Sequence, residues 1–223
     1  MSRFLAHCVK TLCLVFFLSG NGLARGGSFE DFFNAIRQDN AGKVSELLAR
    51  GFDANTTDAR GQTGLYLALR EPSPKATQVL LDWPKTDVNK LNAQGESILM
   101  LAALRGQLEL ADRLVKKGAD VNKTGWTPLH YAASGGHAAL IGLLLENSAY
   151  IDAESPNGST PLMMAAMYGS EASVKLLLQE GADPKLKNQQ GLTALDFAQR
   201  GKRPDSIEAI AAAIRSKQSN GRW

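Results

Sequence analysis

Two histidines, His130 and His137, stand seven positions apart, and beyond residue 24 they are the only imidazoles in the chain. An imidazole pair can ligate zinc or carry protons, but a zinc site needs at least one further well-spaced ligand. None is at hand. Both cysteines, Cys8 and Cys13, fall within the first 24 residues, which leaves no thiolate for a metal, a nucleophile or a disulfide. The acidic residues are scattered, with no carboxylate pair placed for general acid–base work. His-Glu-x-x-His, Gly-x-Ser-x-Gly and the P-loop do not occur. The two histidines are therefore read as structural, and no metal and no cofactor is implied. An enzyme with a shallow site is the rival reading. Asn55, Asn122 and Asn157 each open an Asn-x-Ser/Thr triplet, which is read as chance in loops rich in these residues.

The opening residues have a different character. Arg3 and Lys10 precede the apolar run from Leu12 to Leu18, and small residues follow at Gly22 and Ala24. That order is the one of a secretory signal cut between Ala24 and Arg25, and the run is too short to span a bilayer. Leu18-Ser19-Gly20 is similar to the run before a lipidated cysteine, but Asn21 follows it and cannot carry the lipid. The expectation is a soluble, exported product, periplasmic if the source is Gram-negative, with no membrane contact after signal removal. Loss of Arg3 and Lys10 takes the formal net charge from +3 to +1, which carries no nucleic-acid footprint.

Whatever function these residues serve, repeated elements must position it. Gly-x-Thr/Ser-x-Leu-x-x-Ala occurs at Gly61–Ala68, Gly95–Ala102, Gly125–Ala132, Gly158–Ala165 and Gly191–Ala198, with glycine spacings of 34, 30, 33 and 33. Gly118-Ala-Asp120-Val-Asn122, Gly181-Ala-Asp183 and a looser Gly51-Phe-Asp53-Ala-Asn55 form a second pattern. The Thr or Ser can cap a helix, and Pro128 and Pro161 suit a first helical position. Ala102-Ala103, Ala132-Ala133 and Ala165-Ala166 allow close helix approach. Gly106, Gly136 and Gly169 turn the chain into a second helix. That helix buries Val44/Leu47/Leu48, Leu110/Leu114, Leu140/Leu144 and Val174/Leu177/Leu178. Gly51, Gly118 and Gly181 suit left-handed C-terminal caps, with Ser148 in the aligned position.

Thr127-Pro128-Leu129-His130, Gly136-His137 and Gly118-Ala-Asp-Val-Asn122 resemble the ankyrin-repeat signature over residues 28–217. Both histidines stand where that signature has histidine. The resemblance implies an all-α repeat solenoid of stacked helix–turn–helix units with short projecting β-hairpin loops, and a concave side that binds protein. The division expected is 1–24 signal peptide, 25–57 N-terminal capping repeat, 58–187 central repeats, 188–217 C-terminal capping repeat and 218–223 disordered tail. Phe29, Phe32, Phe33 and Ile36 form the apolar face of the opening helix, and Asp205 or Ser206 caps the last. Six helix pairs are expected.

The variable positions of the first helices carry the functional expectation. Leu67, Leu101, Tyr131, Met164 and Phe197 align, as do Arg70, Leu104, Ser134, Met167 and Arg200, with Arg105 and Tyr168 beside them. The resemblance implies that Arg70, Leu104, Arg105, Tyr131, Met164, Met167, Tyr168 and Arg200 face the concave groove and bind a partner protein. Packing between repeats is the other reading, above all for Leu67 and Leu101. The loop Asn122–Gly125 is three residues short, from a neutral deletion or as a gap for a partner. The reading is a non-catalytic binding scaffold, monomeric, with a secreted effector on a host protein as the alternative and a purely structural protein as a third.

Overall fold

The structure, a computed structural model, describes the backbone of residues 21–219 and the side chains of 27–216. Within these bounds the chain forms twelve helices and no strand. They are α1 (Asn21–Arg37), α2 (Ala41–Ala49), α3 (Gly64–Arg70), α4 (Pro74–Asp82), α5 (Ile98–Leu104) and α6 (Leu108–Lys116). Then follow α7 (Pro128–Gly135), α8 (Ala138–Glu146), α9 (Pro161–Tyr168), α10 (Glu171–Gln179), α11 (Ala194–Arg200) and α12 (Pro204–Ser219). The six expected pairs are all present. The apolar run at Leu12–Leu18 lies outside the described residues, and the Ala24–Arg25 bond falls within α1. Among the described residues no helix is long and apolar enough to cross a membrane.

The repeat motif acts as read. Thr63, Ser97, Thr160 and Thr193 accept the backbone N–H three residues on, at 3.2 to 3.4 Å. Each satisfies one of the donors that a helix start leaves open. Pro128 and Pro161 occupy first helical positions. Odd-numbered helices then pack side by side, α5 on α7, α7 on α9 and α9 on α11, over fully buried Ala102, Ala103, Ala132, Ala133, Ala165 and Ala166. Even-numbered helices close the other side of the core with Val44, Leu80, Leu114, Leu140, Leu144, Val174 and Leu177. The first repeat is sealed by Phe32 and Phe33, with Phe32 also 4.5 Å from Phe52, centroid to centroid. Gly64 stands where later repeats carry Ile98, Pro128 or Pro161, because a Cβ there would lie 2.7 Å from the Phe32 ring. At the far end α12 begins at Pro204, so Arg203 takes the cap position and the expected caps Asp205 and Ser206 lie within the first turn, and the helix buries Ile210. It runs through Ser219, past the boundary expected at 217, and Asn220 to Trp223 lie outside the described residues.

The projecting loops hold their shape with side-chain caps rather than β ladders; a lone antiparallel bridge, Thr57 to Thr63, is the nearest to a strand pair. Asp58 Oδ1 accepts the N–H groups of Arg60 and Gln62, Asn92 Oδ1 those of Gln94 and Glu96, and Asn188 Oδ1 those of Gln190 and Leu192. A carboxylate or amide oxygen thereby replaces a strand partner. The shortened loop at 122–125 has no equivalent residue and makes no such tip. Between repeats, Asn55, Asn89 and Asn122 each donate Nδ2 to a carbonyl of the next unit and accept its backbone N–H. Asp152, at the aligned place, accepts from the Asp183 N–H.

Gly51, Gly118 and Gly181 close second helices at φ of 93°, 91° and 104°, and Ser148 holds φ 66° at the same place. Left-handed backbone brings an L-residue's Cβ against its own carbonyl, a strain glycine does not bear. Ser148→Gly is expected to stabilise the array by about 0.5–1 kcal/mol, since the gain is partly offset by a looser unfolded chain. A urea midpoint that rises at constant slope is the expected result. A midpoint that falls would show that the serine stabilises this cap.

Candidate binding surface

The aligned variable positions of the odd-numbered helices, among them the expected partner-binding residues, differ in burial. Leu67 and Phe197 are core, 1% and 9% exposed, so packing between repeats claims both. Leu101, Tyr131, Met164 and Met167 are half-buried and rest against the core. Leu104 and Tyr168, 43% and 58% exposed, leave large apolar area in water. Arg70 is half-buried, and Arg105 and Arg200 are exposed.

Several of these side chains already have work within the array. Arg105 sends Nη1 to the Leu69 carbonyl at 2.5 Å and Nη2 to the Arg70 carbonyl at 3.3 Å. It thus caps the α3 C-terminus, where unpaired carbonyls favour a cation. The same device recurs with other chemistry. His137 Nε2 donates to the Leu104 carbonyl at 3.0 Å, Ser170 Oγ to the Gly136 carbonyl at 2.9 Å, and Arg203 to the Gly169 carbonyl. His137 is thereby a repeat-to-repeat cap.

His130 has a second structural role. It is fully buried on α7, with Nε2 2.9 Å from the Ser159 carbonyl. A carbonyl only accepts, so Nε2 carries the proton and Nδ1 accepts from Thr127, whose Oγ1 lies 2.9 Å away and whose N–H 3.2 Å. Burial drives its pKa down to about 4, against the opposing pull of the Ser159 and Ala153 backbone. The imidazole is neutral at pH 7 and ties the start of α7 to the next loop.

A polar knot not evident from spacing spans three repeats. Glu96, from a loop tip, accepts Tyr66 Oη at 2.8 Å, Tyr131 Oη at 3.2 Å and Asn92 Nδ2 at 2.8 Å. Burial pushes the Glu96 carboxyl up, but the three hydrogen bonds outweigh it and hold the group below its usual range. Both phenols are pushed up to about 12, by burial first and then by Glu96, chiefly through its hydrogen bond for Tyr66 and its charge for Tyr131. The knot ties the Tyr131 hydroxyl to the preceding repeat. Sequence spacing hid it, because Glu96 sits at a loop position occupied elsewhere by Gln62, Trp126, Ser159 and Leu192.

This arrangement suits binding by surface complementarity. Its histidines are held in hydrogen bonds, its half-buried Glu96 carboxylate accepts three donors, and its exposed side chains include apolar Leu104 and Tyr168 and cationic Arg105 and Arg200. Among the described residues no group of three or more His, Cys, Asp or Glu could hold a metal ion.

Comparison with known proteins agrees with the architecture. The family described as "Ankyrin repeats (3 copies)" matches residues 32–124, 73–155, 122–188 and 150–219. The chain is 35% identical over 107 residues to the Ankyrin repeat and SAM domain-containing protein 6 of Rattus norvegicus, covering 46% of this chain and 12% of that one. It is 36% identical over 89 residues to the Notch-regulated ankyrin repeat-containing protein of Xenopus tropicalis, covering 37% of this chain and 78% of that one. The first curated relatives are much longer proteins, of which the chain spans 4–20%. The crystal structure of an ankyrin repeat domain from Acinetobacter baumannii AYE superposes with a TM-score of 0.71 at 25% identity, over 82% of this chain and 96% of that one. The chain belongs to the ankyrin-repeat family, whose members are protein-interaction modules.

Proposed function

We propose that this chain is a non-catalytic, monomeric scaffold that binds a partner protein on the concave face of its odd-helix layer and at its loop tips. One observation carries the reading. Tyr168 stands exposed beside half-buried Met164 and Met167 on α9, and Leu104 stands exposed two helices earlier on the same, otherwise close-packed layer. A folded chain gains nothing by keeping such area wet, whereas polarizable and aromatic groups supply contact area at interfaces. Export accompanies the proposal, supported by the charged, apolar and small residues that precede Arg25.

The test is capture from a periplasmic extract by protein recovered from that compartment, whose mass should correspond to a chain starting at Arg25. The double variant Met167→Asp/Tyr168→Glu should lower the yield of captured partner at least tenfold, about 1.4 kcal/mol. The control, Ala139→Asp/Gln179→Glu on exposed positions of α8 and α10, should leave it unchanged. Equal capture by both variants, each shown folded by circular dichroism, would remove the groove from the proposal.

A further inference from the structure

The odd-helix face changes chemistry along the array. Arg37, Arg70, Leu104, Ser134, Met167 and Arg200 occupy one aligned position at the ends of α1, α3, α5, α7, α9 and α11. Arg105 and Tyr168 share the next position. The first three repeats therefore present guanidinium groups, the fourth presents small residues at Ser134 and Gly135, and the fifth presents Met167 and Tyr168. Arg60, exposed in the loop before α3, joins the basic end. It and Arg37 both lie near enough to Glu71 to help Arg70 hold that carboxyl below its usual range. Arg70 pairs with Glu71 at 2.6 Å, and it is the one guanidinium of the four with a carboxylate partner. Arg37, Arg60 and Arg105 are in none of the six ion pairs among the described residues. The other acids nearby are engaged with backbone: Asp39 accepts from the Ala76 N–H, and Asp58 from its own loop tip.

Resting on the concave-face reading, we propose that the partner contributes an extended polypeptide segment carrying an acidic cluster at one end and an apolar anchor at the other. The acidic cluster lies over Arg37, Arg60, Arg70 and Arg105, the segment's backbone crosses Ser134 and Gly135, and the anchor packs on Met167 and Tyr168. The array fixes the spacing. Packed helices lie about 9 Å apart, so the three steps from α3 to α9 cover about 27 Å. An extended chain covers that distance in about eight residues. Guanidinium groups favour carboxylates because their planar fork can donate two parallel bonds. The stretch from Ser134 and Gly135 to Met167 and Tyr168 favours a peptide over a nucleic-acid backbone, which would meet no phosphate-binding group there.

The proposal is tested by panning a display library of random 16-residue peptides on the immobilised full chain. Selected peptides should carry paired Asp or Glu about six to ten residues from Leu, Met, Phe or Trp. By fluorescence anisotropy a selected peptide should lose at least tenfold affinity toward Arg60→Glu/Arg70→Glu, and a smaller but clear factor toward Arg60→Gln/Arg70→Gln, with both variants folded. It should lose affinity separately toward Tyr168→Glu, and weaken as salt rises. Peptides without acidic enrichment that still respond to Tyr168→Glu would overturn this inference and leave the concave-face reading standing. Peptides indifferent to every variant, or none selected, would overturn both. Tighter, arginine-dependent binding of a labelled twelve-nucleotide oligothymidylate would replace the peptide by a nucleic acid.

Discussion

Gly169→Ala is expected to destabilise the array by about 3 kcal/mol, the upper end of the usual overpacking cost. The ordinary expectation runs the other way. Gly169 has φ −80° and ψ −155°, backbone open to any residue, and at such a site Gly→Ala stabilises by stiffening the unfolded chain. Space decides the sign here. A Cβ on Gly169 would drive into the Ala133 carbonyl oxygen of the preceding repeat and come within 2.9 Å of Ala165 Cα. These are backbone and helix-core atoms that no rotamer change can move, so α7 and α9 would have to part. The comparison is Gly181→Ala, where φ is 104° and nothing stands within 4 Å. That change should cost only the left-handed backbone strain, about 1–2 kcal/mol. Urea unfolding of the two variants measures both effects. A Gly169→Ala protein as stable as the parent would show that the odd helices slide freely past one another.

Acidification from pH 7 to pH 4 is expected to remove about 3 kcal/mol of stability through His130 alone. The sign follows from where the proton binds. The unfolded imidazole takes it up near pH 6.5, while the buried one resists until about pH 4. Between these values the unfolded state binds more protons, so stability is complete above pH 6.5 and falls as pH drops toward 4. Glu96 and Asp196 contribute at lower pH. Both are held below the usual carboxylate range, so their stabilisation is present above the unfolded values and is lost as pH falls through the folded ones. His130→Gln should be less stable at pH 7, because the Thr127 and Ser159 groups lose a partner that spans both. Its urea midpoint should nevertheless stay level between pH 6.5 and 5, where the parent's declines. A variant with the parent's slope in that window would assign the acid sensitivity to other groups.

The repeat register and the helix starts followed from residues that act on their immediate neighbours. A threonine caps the backbone three residues on, a proline fixes its own φ, and a glycine relieves its own Cβ. Such effects need no knowledge of the fold, so they were legible at Thr63, Pro128 and Gly118, and Ser148 was readable as a strained cap. The buried faces of both helix layers followed from periodicity. Tertiary structure decided what depends on the next repeat, some thirty residues away in sequence. It assigned Gly169 to close helix contact rather than to a left-handed turn, and Gly64 to the room that Phe32 needs. It joined Glu96 to Tyr66 and Tyr131, and put Leu67 in the core while leaving Tyr168 in water. Aligned positions have equal local preferences but unequal neighbours. Distances across the stack, rather than chain propensity, therefore determine which aligned residues pack, which cap a neighbour and which remain open to a partner.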